Sequence, residues 1–195
     1  MSSLIDIIGS SVIGGFLLLL LFNVLNTTNE YFLSHGDDLI VQKNLTSVAS
    51  ILEHDLRKMG FLVPETELSI IQADSTNLKF RGDINKDFSL DTVEYYLGST
   101  NELSATQNPD DRFIYRKVNG LPANGAKIGV VTNFMFEYLD QDGNEVSTLI
   151  SIKMIRINMK VENSAVYGND PNPNKNKYRT AIWQQTRLVS RNLRR

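Results

Sequence analysis

The chain has 195 residues, 42% of them hydrophobic, which is enough for one domain with a solid core. With 20 Lys and Arg against 22 Asp and Glu, its net charge of −2 offers no basic field to a nucleic acid. It has no cysteine, which excludes a disulfide framework and a thiolate metal site.

The averages conceal an asymmetry at the start, MSSLIDIIGSSVIGGFLLLLLF. No charged side chain occurs from Ile7 to Asn29, and Val12 to Phe22 is almost wholly apolar. At about 1.5 Å per helical residue, the roughly 20 residues from Leu4 to just beyond Phe22 match a hydrocarbon core of about 30 Å. Residues 1–29 are therefore expected to form a transmembrane helix segment. A cleaved secretory signal is the competing reading, but its basic n-region is absent and NVLNTT holds no small-x-small cleavage site. The first Lys is Lys43, so the positive-inside rule gives little orientation. Ser10 with Gly14 and Ser11 with Gly15 make two small-x-x-x-small pairs on adjacent faces, a spacing that admits a second helix, although lipid also tolerates such residues singly. Asp6 is the anomaly: a carboxylate here needs a first-turn position near headgroup water or a positive partner.

Residues 30–60 read as an amphipathic continuation of the same helix. Val41, Leu45, Val48, Leu52, Leu56 and Met59 recur at steps of 4, 3, 4, 4 and 3, the stripe of a helix packed on one side. Gln42, Lys43, Glu53, His54 and Arg57 occupy the other face, Gly60 and Pro64 close the element, and Gly36 is the one strong breaker before the stripe, a candidate kink. His54 beside Asp55 suggests no triad, because adjacent helical residues point in different directions; His35 and His54 are expected on a solvated face.

Residues 61–195 are expected to form a β-rich globular domain. LSIIQA, LKFRG, TVEYYLG, RFIYRKV and FMFEYLD are short, rich in β-branched and aromatic residues, and separated by turn residues. In IRINMKV the apolar Ile155, Ile157, Met159 and Val161 alternate with Arg156, Asn158 and Lys160, as in an antiparallel sheet covered on one face. The stretch Asp140 to Gly143, DQDG, reads as a hairpin turn and NDPNPNKNK as a loop, with YRTAIWQQTRLVSRNLRR as a final strand. The fold class is α+β, with the long N-terminal helix packed on an antiparallel sheet.

One chemical candidate lies between two strands. Counting Asp83 as position 1, Asp83, Asn85, Asp87, Asp91 and Glu94 fall at positions 1, 3, 5, 9 and 12, with the Ser89 carbonyl at 7. This is the ligand spacing of a calcium loop. Phe88 stands at position 6, where a Gly with easy positive φ is wanted, so a polar hairpin connection is the plainer reading. There is no Gly-rich phosphate loop and no nucleophile elbow, and no enzyme is expected. Arg187, Arg191, Arg194 and Arg195 read as a solvated basic end, with anionic lipid or an acidic neighbour as the functional alternative.

The order of pieces, an apolar start running into an amphipathic helix that reaches LEHDLRKMGF, then IIQADSTNLKFRGDINKD, VEYYLG, YRKVNG and FMFEYLDQDG, and SRNLRR at the end, resembles the minor pilins and pseudopilins of type IV pilus and type II secretion systems. The resemblance implies a single-pass inner-membrane protein with an extracytoplasmic globular domain, a structural subunit or initiator of an envelope filament or pseudopilus. Its implied partners are other pilin-like subunits, the membrane assembly machinery and the bilayer. In that family an acid at mature position 5 meets the N-terminal amine of the adjacent subunit, and Asp6 takes that place if Met1 alone is removed. The expected departure is the leader, since neither a short basic leader ending in Gly nor a Phe-Thr-x-x-Glu start is found around SSLIDIIG. From a different class, the alternative is an anchored extracytoplasmic module whose sheet binds a ligand or protein.

Overall fold

The computed structural model of the protein describes residues 2–164, 178 and 180–188. Helix α1 runs from Ser2 to Arg57 without interruption, passing through Gly36 as helix. The chain divides into two compact units, Met1–Leu39 and Ile40–Arg195. The first contains Ser3–Asn29, 27 residues long enough and apolar enough to cross a membrane and with none of it buried. Two of its hydroxyls bond back within the helix, Thr27 and Thr28 donating to the carbonyls of Asn23 and Val24 at 2.9 and 2.8 Å. Such back-bonding is how a Ser or Thr avoids leaving a donor unpaired in lipid.

In the second unit α1 contributes the expected stripe: Val41, Val48, Leu52 and Leu56 are buried, Met59 beyond the helix end is buried with them, and Leu45 is half-buried. Gly60, at φ 78°, terminates the element, and its N–H donates to Arg81 O at 2.8 Å, tying the end of α1 to the sheet.

The strands form two antiparallel sheets where the periodicity suggested one. Sheet A has the order β1–β2–β3–β4–β5, from Ile70–Ala73, Asn77–Gly82, Asp91–Leu97, Arg112–Val118 and Leu121–Val131. Sheet B has the order β6–β7–β8, from Asn133–Leu139, Met154–Glu162 and Thr180–Leu188. The split falls at Thr132, the one residue between β5 and β6, whose N–H donates to Lys160 O of β7 at 2.9 Å. One face of β2, β3, β6 and β7 alternates into a common core with the α1 stripe, built on Phe80, Tyr95, Phe134, Phe136 and Ile157. The DQDG turn is present, with Gly143 at φ 89° and Asp140 N donating to Asn144 O at 2.9 Å. Its return is a single bridge, Leu139 to Glu145, and the chain travels on through a 3-10 turn at Leu149–Ser151 before β7 pairs with β6. The loop 169–177 lies outside the described residues.

Two glycines set how near α1 comes to sheet A. A Cβ on Gly82 would stand 2.4 Å from the Lys58 carbonyl oxygen, and one on Gly129 would stand 2.2 Å from a Val48 methyl. Beside Gly129, Asn44 Nδ2 donates to Val130 O of β5 at 2.6 Å.

Leu52→Ala and Leu56→Ala are each expected to lower unfolding free energy by about 2 to 5 kcal/mol, the range for emptied core positions. Leu45→Ala should cost less. Urea denaturation of the detergent-solubilised chain measures this, and losses below about 1 kcal/mol at Leu52 and Leu56 would disprove the packing.

Candidate functional site

Three groups of residues carry chemistry beyond packing. The first lies in the apolar part of α1. Among the described residues the helix begins at Ser2 and its first turn holds no acid, so Asp6 stands past the first turn in which the sequence placed it. The dipole of the unpaired first-turn N–H groups falls off within that turn, which weakens the simple explanation for an anion here. Ser10 Oγ donates to Ile7 O at 3.0 Å, and added Cβ atoms at Gly14 and Gly15 would meet nothing within 4 Å. Asp6, Ser10, Ser11 and Gly15 are exposed on this helix, and Gly14 is half-buried.

The second group is buried and was not read from the sequence. Asp55, 1% exposed, projects from the last turn of α1 into the core. Its Oδ2 accepts from Tyr95 Oη of β3 and from Arg116 Nε of β4, each at 2.6 Å. Its Oδ1 lies 3.1 Å from His54 Nδ1, so the adjacent pair does meet, contrary to the expectation from helical geometry. The imidazole remains 60% exposed while it makes this contact. Lys58 Nζ stands 3.0 Å from His54 Nε2. An ammonium can only donate, so Nε2 accepts and Nδ1 carries the proton given to Asp55. Lys58 also donates to the Ile84 carbonyl of the β2–β3 connection. Burial, and then the Asp55 carboxylate beside it, push the Tyr95 hydroxyl well above the usual phenol range. For Arg116 burial acts downward, but the hydrogen bond and charge of Asp55 outweigh it and raise the guanidinium. The set holds the last turn of α1 against β3 and β4.

The third group is the connection from Asp83 to Glu94. Asp83 is buried and accepts three backbone N–H groups, Lys86 at 2.6 Å and Asp87 at 3.3 Å on Oδ1, Phe88 at 3.1 Å on Oδ2. Asp87 accepts from Ser89 N and from Asn85 Nδ2, at 2.7 and 2.8 Å. Asp91 takes Ile84 N at 3.1 Å and Asn119 Nδ2 at 2.7 Å, while Glu94, on β3, lies 3.9 Å from Lys79 Nζ. Phe88 does adopt the positive φ that the spacing demanded of position 6, at 64°, and so does Lys86. The turn therefore accepts Phe at position 6, but the oxygens of the set are engaged in hydrogen bonds of the turn itself. Among the described residues no three His, Asp or Glu side chains gather closely enough to hold a metal. As it stands the set does not fit calcium, and Asp83 serves as the polar hub of the turn.

Of the remaining sequence candidates, the side chain of Arg187 and all of Arg191, Arg194 and Arg195 lie outside the described residues, as does the side chain of His35. The signal that could have found the Asp55 set is an acid inside the apolar stripe, three residues past Leu52 and one before Leu56. No protein-family model, no curated protein and no solved structure matches the chain.

Asp55→Ala is expected to cost about 3 to 5 kcal/mol because it strands Arg116 and the Tyr95 hydroxyl, whereas Asp55→Leu combined with Arg116→Met should recover most of that loss. A double-mutant cycle by chemical denaturation decides it, and a single-mutant cost under about 1 kcal/mol would reject the clasp. Asp83→Ala should remove about 1 to 3 kcal/mol equally in calcium and in chelator, because three turn N–H groups lose a charged acceptor that is itself buried. Thermal melting in both buffers tests this, and a loss confined to calcium would make the loop a metal site.

Proposed function

We propose that the chain is a membrane-anchored, pilin-like structural subunit, or an initiator, of an envelope filament or secretion pseudopilus, with residues beyond the anchor on the extracytoplasmic side. The observation that supports this reading is α1 itself. One unbroken helix from Ser2 to Arg57 is fully exposed and apolar over Ser3–Asn29, yet its final turns bury a stripe beneath antiparallel sheets. An exposed apolar span and a core-forming stripe on one N-terminal helix are the two features that the resemblance to pilin-like subunits calls for.

In this reading Asp6 carries the assembly contact. A carboxylate left unpaired in hydrocarbon costs several kcal/mol, which the α-amino group of a neighbouring copy or related subunit would offset. The open surfaces at Ser10, Gly14, Ser11 and Gly15 then admit the neighbour's helix at close range. Lipid bilayer and other pilin-like subunits, with the membrane machinery that assembles them, are the partners.

Asp6→Asn should leave membrane insertion and the melting of the folded domain unchanged while removing crosslinks to neighbouring subunits in native membranes. Wild-type crosslinking by the Asn variant would end the assembly role of Asp6 and, with it, the best support for a pilin-like subunit.

A further inference from the structure

Where α1 ends, the second unit carries an apolar knob that packing does not explain. Phe88, 85% exposed, stands in the β2–β3 connection at φ 64°, a backbone conformation that favours glycine. Leu62, in the loop that follows α1, is exposed at the same φ. The two loops are joined, Asp83 N donating to Phe61 O at 3.2 Å and Lys58 Nζ to the Ile84 carbonyl. A large apolar side chain held outward where glycine is easier contributes no burial to this fold. Unfavourable backbone and exposed apolar surface together mark a contact with another molecule.

Toward the start of the same unit lies a recess. Ile40 and Val41 of α1, Phe113 of β4, Ile128 of β5 and Val161 of β7 give it a mostly apolar lining around a volume of about 410 Å³. Ile40 is 64% exposed, so part of that apolar wall is uncovered. The polar groups within it are largely spent: Asn44 donates to Val130 O at 2.6 Å, and Glu162 accepts from Lys160 and Thr180 at 2.6 and 3.1 Å. Lys127 differs. It is exposed beside the recess, with Nζ 3.9 Å from the Phe113 ring centroid, and makes no ion pair among the described residues.

Knob and recess cannot meet within one chain. From Asn44 to Lys58 the helix rises about 21 Å, and Phe88 belongs to the loops at the Lys58 end. Between two chains they are complementary in shape and in charge. Asp87, next to the knob, is exposed and accepts only from the neutral Ser89 N and Asn85 Nδ2, so its charge is unmatched among the described residues, as is that of Lys127. We propose that Phe88 of one copy enters the recess between α1, β4, β5 and β7 of a second copy, with Asp87 pairing to that copy's Lys127. The two surfaces differ, so every copy in such a contact keeps one free knob or one free recess. Contacts of this kind propagate into a helical filament unless their rotation closes a ring. One aromatic anchor with one charge pair is weak alone, and membrane helices that gather the copies raise its effective concentration. The inference therefore rests on the assembly reading and adds to it a contact between folded domains.

The test uses the full chain in native membranes, with the photocrosslinker p-benzoylphenylalanine in place of Phe88 so that the knob stays aromatic. Irradiation is expected to give a dimer whose crosslinked peptide, read by mass spectrometry, contains Phe113, Ile128 or Val161. Lys127→Glu sets like charges against each other and should lower the dimer yield about fivefold or more, and adding Asp87→Lys to the same chain should restore it, with both variants melting as wild type. The same photocrosslinker at Leu25, exposed on the apolar span, reports neighbouring helices of any arrangement. A dimer from position 25 without one from position 88 overturns the knob contact and leaves the assembly reading standing, whereas no dimer from either position overturns both. Crosslinks from position 88 confined to lipid, to a different protein or to other parts of the second copy also overturn the contact, as does a dimer that Lys127→Glu leaves unchanged.

Discussion

A carboxylate in the core fixes how this domain is put together. Asp55 is almost wholly out of contact with solvent, and burying an ion is favourable only when its lone pairs are met by well-placed donors. Those donors come from two neighbouring strands, Tyr95 of β3 and Arg116 of β4, on the face of sheet A that meets α1. A rotation of α1 about its axis, or a slide of one turn along the sheet, would leave the apolar stripe roughly buried but would strand the charge. Hydrophobic burial supplies the larger stabilisation, but it tolerates such shifts. The carboxylate does not, so its contribution is to the uniqueness of the packing.

The close approach of α1 to the sheet follows from what is missing elsewhere. Gly82 and Gly129 leave room where any side chain would meet the Lys58 carbonyl or a Val48 methyl, and with that room Asn44 reaches the Val130 carbonyl. Two small residues on separate strands and two polar bonds thus bracket the helix along its length. The turn hub at Asp83 adds a constraint from below, since Asp83 N donates to Phe61 O at 3.2 Å and Lys58 reaches the next carbonyl, that of Ile84. The β2–β3 connection is in this way part of the helix terminus, and its positive-φ residues Lys86 and Phe88 are held there by the N–H groups they give to Asp83.

Periodicity in the sequence revealed what depends on burial alone. The α1 stripe from Val41 to Met59 and the alternation of β7 were legible because one face of each is dry, and apolar spacing records that directly. Strand β5 was not legible. LPANGAKIGVV contains Pro122, Asn124 and Gly125, which read as loop, and it lies at the edge of sheet A, where a missing N–H and an exposed side-chain pattern are tolerated. The division into two sheets was equally hidden, because both sheets send the same alternating faces into one core and only the pairing across Thr132 separates them. Asp55 was passed over for a different reason: a single acid near a polar helix face looks solvated until its angular position inside the stripe is reckoned. The Asp6 position was visible, but not that the first turn of α1 lies before it.

Tyr95 and Tyr96 show how one step along a strand separates the two faces of sheet A. Neighbouring residues in a β-strand face opposite ways, so two chemically identical side chains enter different solvents. The Tyr95 hydroxyl ends on a carboxylate within the core and tightens the fold, while the Tyr96 hydroxyl ends on a backbone carbonyl on the outer face. On that outer face the donor and acceptor roles are also fixed against pH. The hydrogen bond to Glu102 raises Tyr115 to about 12, and the same bond, with the Ser99 N–H, holds Glu102 below the usual carboxylate range. Between those limits Tyr115 keeps its proton and Glu102 keeps its charge, so the bond that joins β4 to the 3-10 turn keeps one sense over the whole neutral range.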